Sequence, residues 1–274
     1  MNALTLGPYR FTQTDVIRTF AALGAWWKHL TDGIAAPHWT TTGSAWLQSL
    51  ERHTGTPAVG DAAQASTRHD PSAAFAEIGK RLADRFADRP LCEESQAALS
   101  TVWHGVLDLT ASLRSRDAVP TNGTGTVQHV NVSAGGVPKR HIARAEVDFR
   151  GLRGDKQGAR THHGRPWQAL CLWSGEVIDS FAAAGHPIAP GSAGENLTLR
   201  GIDWHTMRPG MRMRIGTALI ETSAWAIPCR KNSAWFADGD HQRLSHERGP
   251  VSRIYATVIE PGAVAVDDTV SIQH

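Results

Sequence analysis

At 274 residues the chain is long enough for about two domains of ordinary size. Its 28 Lys and Arg against 26 Asp and Glu leave a net charge of +2, which excludes the strong basic field of a nucleic-acid or anionic-membrane binder. A hydrophobic content of 41% excludes a disordered chain, and no apolar run approaches the roughly 18 residues that a membrane span needs. The N-terminus has no basic region followed by an apolar one, so a secretory signal is not expected. Three cysteines, Cys92, Cys171 and Cys229, are too few and too odd for a disulfide framework. They predict a cytoplasmic protein with room for one functional thiol.

Residues 12–114 read as helices. Val16, Phe20, Leu23, Trp27 and Leu30 alternate in steps of four and three, which puts them on one helical face, with Thr12, Thr14 or Asp15 as the cap. A second helix is predicted over Ser44 to His53, with Trp46, Leu47 and Leu50 inward. Asp70 and Pro71 read as a cap and a first-turn proline before Phe75, Ile78, Leu82 and Phe86. Glu93 and Glu94 suit the positive end of a last helix carrying Leu99, Val102, Val106, Leu109 and Leu113. Four such helices pack most simply as a bundle. Ala118 to Gly125, rich in Pro, Gly and small polar residues, reads as a linker.

Beyond it the period falls to two, in Val130 and Val132, in Ala145, Val147 and Phe149, in Leu197 and Leu199, and in Met211, Met213 and Ile215. Trp167 to Trp173 reads as a strand buried on both faces, and frequent glycines mark turns. The expected class is α+β, with a helical bundle domain over residues 1–119 and a β-rich, barrel-like domain over 120–274.

Four segments of the second half carry candidate chemistry. In Pro228-Cys229-Arg230-Lys231 the proline ends a strand and places the thiol in a loop. The two cations favour thiolate or hold an anionic group such as a phosphate, although a small buried cysteine is an equally good reading of these four residues. Gly151-Leu-Arg-Gly154-Asp155 is a glycine turn followed by an acid. Thr161-His162-His163-Gly164-Arg165 offers imidazole and guanidinium, with at most one of the two histidines facing a given site. Gly191-Ser-Ala-Gly194-Glu195-Asn196 is a second turn with a carboxylate and an amide. Each alone reads as an ordinary turn.

Taken in order, VQHVNVSAGGVPK, GLRGDKQ, HHGRPWQALCLW, PGSAGENLTLRGIDW, RPGMRMRIGTALIETS and PCRK resemble the MOSC domain, named after the C-terminal part of molybdenum-cofactor sulfurases. The resemblance runs from Val127 to about Val270. It implies a barrel-like β fold and one hallmark cysteine, here Cys229, which carries sulfur as a persulfide or contacts molybdenum in bound molybdopterin. It further implies that Gly154, Asp155, His163, Glu195 and Asn196 line the pocket. Arg165, Arg230 and Lys231 are reasonable partners for a cofactor phosphate or another anionic small molecule. Two departures stand out. His163-Gly164-Arg165 replaces a usual His-Gly-Gly, and Asp267-Asp268 replaces Gly-Asp, which strains a positive-φ position if one exists there. No pyridoxal-phosphate half accompanies the domain, so sulfur or electrons are expected from a separate donor protein. The implied activities are reduction of N-hydroxylated compounds by a molybdenum-dependent enzyme, persulfide transfer without molybdenum, or non-catalytic binding of an anionic metabolite.

In the first half, His53 and His104 on different helices could share a divalent metal, in the manner of the DinB-like bundles that the pattern resembles, although no third ligand stands out. Five Trp in this half (Trp26, Trp27, Trp39, Trp46, Trp103) read as aromatic packing in a structural or dimerising bundle.

Overall fold

The computed structural model describes residues 3–55, 71–115, 119–158 and 163–273. The chain forms two compact units, Met1–Ala118 and Val119–His274.

The first unit opens with a hairpin, β1 (Leu4–Leu6) and β2 (Tyr9–Phe11), which the periodicity reading missed. The predicted first helix is two, α1 (Gln13–Ala21) and α2 (Leu23–Thr31), yet its apolar face is intact and all five named residues are buried. Thr12 is the cap, its hydroxyl accepting from the Asp15 amide while Asp15 accepts from the Thr12 amide. The second helix, α3, runs Thr40–Glu51, so His53 lies in the turn after it rather than within it. Asp70 lies outside the described residues, and Pro71 flanks α4 (Ser72–Ala87) instead of opening it. Gln13 closes the other end of α4, its amide donating to the carbonyls of Phe86 at 2.8 Å and Arg89 at 2.7 Å. Helix α5 (Glu93–Ser115) buries all five of its predicted apolar positions.

The interior of this unit is aromatic. Trp27 stacks on Phe75 with ring centroids 4.4 Å apart, and Trp39 and Trp46 pack around it. Gly105 on α5 faces the Trp46 indole so closely that a Cβ would lie 2.0 Å from the ring.

The second unit is a closed barrel. Its strands are β3 (Thr124–Val132), β4 (Arg140–Ile142), β5 (Arg144–Asp148), β6 (Gly151–Leu152), β7 (Leu170–Ser174), β8 (Leu197–Arg200), β9 (Arg212–Ile215), β10 (Ala218–Trp225), β11 (Ile254–Glu260), β12 (Gly262–Ala265) and β13 (Thr269–Gln273). Seven of them close in the order β13-β9-β10-β11-β7-β8-β3 and back to β13. Every pairing in the ring is antiparallel except β7 with β8. Closure leaves the ring no open edge. One end of β3 pairs β13 and the other pairs β4, with a register shift near Gln128, while β12, β5 and β6 form a small separate sheet.

The alternating positions face inward as expected, with one exception. Phe149 is 47% exposed because β5 has already ended at Asp148. The buried strand is also shorter than predicted, since Pro166–Gln168 is a 3₁₀ turn and only Leu170–Ser174 is strand. Part of the expected linker, Thr124 and Gly125, already belongs to β3. Between β7 and β8 lies a helix the sequence reading missed, α6 (Gly175–Ala183), capped by the Ser174 hydroxyl accepting from the Val177 amide.

Candidate functional site

The candidate residues of the second unit form two clusters joined across β7 and β11. In the first, Asp155 is fixed from three sides. Its carboxylate accepts from the Ser133 amide at 2.8 Å and from the Asn196 side chain at 2.9 Å, and it forms an ion pair with Lys139. Both side chains of that pair are more than nine-tenths buried. Asn196 also accepts from the Cys171 amide at 3.1 Å, so the turn that carries it is pinned to β7 as well as to Asp155. Gly191 approaches Lys139 so closely that a Cβ would lie 2.3 Å from its carbonyl, at a φ of +85° that only glycine holds easily. Gly154, by contrast, is exposed with open space around its α-carbon. It supplies a turn that no other part of the described chain crowds.

Glu195 is completely buried. One carboxylate oxygen accepts from the Gly191 amide and from the Thr198 hydroxyl, while the other has no hydrogen-bond partner. Burial pushes its pKa up, and the Gly191 amide and the nearby Arg253 guanidinium offset this only in part. Arg253, at 6% exposure, donates to the Ala193 carbonyl, and its charge is felt by Glu195, Cys171 and Tyr255 alike. The sequence reading passed over Arg253, Lys139 and Asn131. The available signal was an arginine and a lysine placed directly before strand-like runs.

The second cluster surrounds the candidate thiol. Strand β10 ends at Trp225, Pro228 follows, and Cys229 sits in extended backbone before a 3₁₀ turn, Arg230–Trp235. The Asn232 amide donates to the Cys229 carbonyl at 2.8 Å, which fixes the loop. Cys229 is half-buried, and Arg230 and Lys231 are exposed beside it. Tyr255 of β11, which the sequence reading did not single out, lies within electrostatic reach of Cys229 and Cys171 and hydrogen-bonds Gln168. Its hydroxyl lies 3.2 Å from His163 Nδ1. Burial, first, and the two sulfurs push its phenol well above the ordinary tyrosine range, so it stays protonated. Arg165 is buried and donates to Gln168 at 3.3 Å. Tyr255 pairs directly opposite Cys171, whose backbone Asn196 grips, so the two clusters share a wall.

The three thiols differ. Burial pushes Cys171 up to about 11, leaving it a small hydrophobe. Cys92, just before α5, is half-buried and held below its usual value, first by a hydrogen bond from the Ser95 amide. A cleft of about 520 Å³ elsewhere in this unit is lined by residues such as Glu176, Phe181, Asp203 and His205, and by none of the candidate residues.

In the first unit His53 Nε2 lies 3.0 Å from the Thr101 hydroxyl of α5, and His104 is exposed. Burial, followed by the adjacent Arg52, lowers the His53 pKa. Among the described residues no group of three or more His, Cys, Asp or Glu side chains is placed to hold a metal ion, and no helix is long and apolar enough to cross a membrane. His162 lies outside the described residues.

Comparison with known proteins places the match on this second unit. Residues 159–271 match the MOSC domain model. The protein YiiM of Escherichia coli (strain K12) is 34% identical over 137 residues, which is 46% of this chain and 60% of YiiM. YflK of Bacillus subtilis (strain 168), an uncharacterized protein, is 26% identical over 132 residues, 47% of this chain and 59% of YflK. The chain therefore spans about 60% of the length of these curated relatives. Among solved structures, YiiM from Escherichia coli superposes with a TM-score of 0.42 at 26% identity, over 57% of this chain and 71% of that one. The YUAD protein from Bacillus subtilis superposes with a TM-score of 0.46 at 18% identity, over 56% and 97%.

Proposed function

We propose that residues 159–271, which match the MOSC domain model, work as a MOSC domain, and that Cys229 is its reacting thiol and binds a molybdenum cofactor. The observation that carries the reading is the contrast among its sulfurs. Of the two in this unit, Cys171 is buried in a strand, while Cys229 stands half-exposed in a loop with two exposed cations beside it.

The donor set suits molybdopterin. Cys229 offers a soft sulfur ligand to the metal. Arg230 and Lys231 offer charge to the phosphate. Deeper in, the unpartnered oxygen of Glu195 and the unpartnered Nε of Arg253 leave hydrogen-bonding capacity unused. When bound, the molybdenum centre supplies two-electron redox chemistry.

The chain's own groups handle protons. Reducing an N-hydroxylated compound to the amine breaks the N–O bond, consumes two electrons and two protons and releases water. Tyr255, protonated and in hydrogen-bond reach of His163, holds one proton beside Cys229, and the half-buried imidazole passes a replacement inward. The electrons come from a separate carrier protein. Three unpaired cysteines suit a reducing compartment, and we place the protein in the cytoplasm.

Elemental analysis and pterin fluorescence of the natively purified protein test this directly. Molybdenum and pterin are expected in the wild type and absent in Cys229→Ala. Equal content in both overturns the assignment. The exposed Arg230 and Lys231 also favour a second reading, in which they steady a persulfide anion on Cys229. There the donor's S–S bond breaks as Cys229 forms its own. Incubation with a desulfurase then adds one sulfur to Cys229 by mass spectrometry, and an unmodified thiol rules the reading out.

A further inference from the structure

We propose that His129 and His141 form a zinc-binding pair on the outer face of the barrel, independent of the Cys229 site. His129 lies on β3 and His141 on β4, and these strands pair with Asn131 directly opposite His141. His129, two residues before Asn131, therefore points to the same face as His141 and is its diagonal neighbour. The two Nδ1 atoms are 3.4 Å apart, with the rings nearly perpendicular at 80°.

That separation, a hydrogen-bond contact between the two rings, also matches the edge of a tetrahedral site. A tetrahedral ion with bonds of about 2.0–2.1 Å to imidazole nitrogen has ligand atoms about 3.3–3.4 Å apart along each edge. Adjacent ligands of a square-planar or octahedral ion at that bond length sit closer, at about 2.8–3.0 Å. The pair thus spans one edge of a zinc tetrahedron without rearrangement of either strand. His141 is exposed and His129 half-buried, so a hydrated ion reaches them directly and water fills the other two positions. The neighbouring cation, Arg200, is held by Asp179 at 2.6 Å, which offsets its repulsion. Two ligands held on adjacent strands bind without the ordering cost of a flexible loop.

The test is a titration of the full chain carrying Cys229→Ser, which removes the competing thiol, with Zn²⁺ and with Co²⁺ as a spectroscopic stand-in. One Zn²⁺ is expected per chain, and the Co²⁺ complex should show the intense visible bands of tetrahedral coordination. His129→Gln and His141→Ala should each weaken binding at least tenfold, while His205→Ala, at another exposed histidine, should leave it unchanged. Circular dichroism confirms that the variants fold. Undiminished binding in both variants, or the weak spectrum of octahedral Co²⁺, would overturn the proposal.

Discussion

The helical unit and the barrel solve burial differently. The first fills its interior with aromatic rings, centred on Trp27 and Phe75, and keeps its ion pairs, such as Arg81 with Glu77, toward solvent. The second encloses charge, with Lys139, Asp155, Glu195, Arg253 and Arg165 all buried. Apolar packing needs only volume and pattern, whereas buried charge needs named partners at fixed distances.

The largest expected effects come from breaking each interior in its own way. Trp27→Ala removes the ring at the centre of the aromatic cluster and should cost about 3–5 kcal/mol in denaturant unfolding of the helical unit. Asp155→Ala strands the buried Lys139 charge and should cost a similar amount, about 3–5 kcal/mol, in the barrel. The comparison sharpens with a second change. Adding Lys139→Met to Asp155→Leu should recover only the part of that loss due to the stranded lysine charge, because the Ser133 amide and the Asn196 side chain still lose their acceptor. No second substitution refills the space left by Trp27 so simply. No recovery at all in the double variant would mean that the stranded lysine charge is not a source of the loss.

A smaller effect has a pH signature. The folded pKa of Glu195 lies above its ordinary 4.5. The native state therefore holds a proton that the unfolded chain releases first, and its stability falls as pH rises from about 4.5 toward the folded pKa. Glu195→Gln keeps an acceptor for the Gly191 amide and the Thr198 hydroxyl and removes the charging cost. Its urea midpoint should gain on the wild type progressively over that window. A constant gap between the two curves would contradict the burial argument. The smallest effect is local. Asp267 holds φ of +68°, the one positive-φ side chain among the described residues and the position where the family resemblance implies glycine. Asp267→Gly should relieve the strain and raise stability by about 0.5–1 kcal/mol, read as a rise in melting temperature of a few degrees.

These two interiors were unequally legible in the sequence. Period-four spacing located the buried faces around Phe20, Leu82 and Leu109, because a helix face is written in consecutive residues. Period two did the same for Leu197 and Met213. The hairpin at Leu4–Phe11 and helix α6 were missed because three-residue strands and a nine-residue helix give too few repeats to show a period. The polar network was legible only in part. Asp155 and Asn196 stood out as turn residues carrying functional groups, but Lys139 meets Asp155, Arg253 acts on Glu195 and Tyr255 faces Cys171 only in the folded chain, across separations that no local pattern records.

Per-residue thiol labelling tests the central claim most directly. Protein purified from cells that make molybdenum cofactor, and from cells that do not, is treated with iodoacetamide while folded, and each cysteine is quantified by mass spectrometry. Cys171 should stay unlabelled in both samples and Cys92 should label equally in both. Cys229 should be protected only where the cofactor is made. Equal labelling of Cys229 in the two samples would contradict the account.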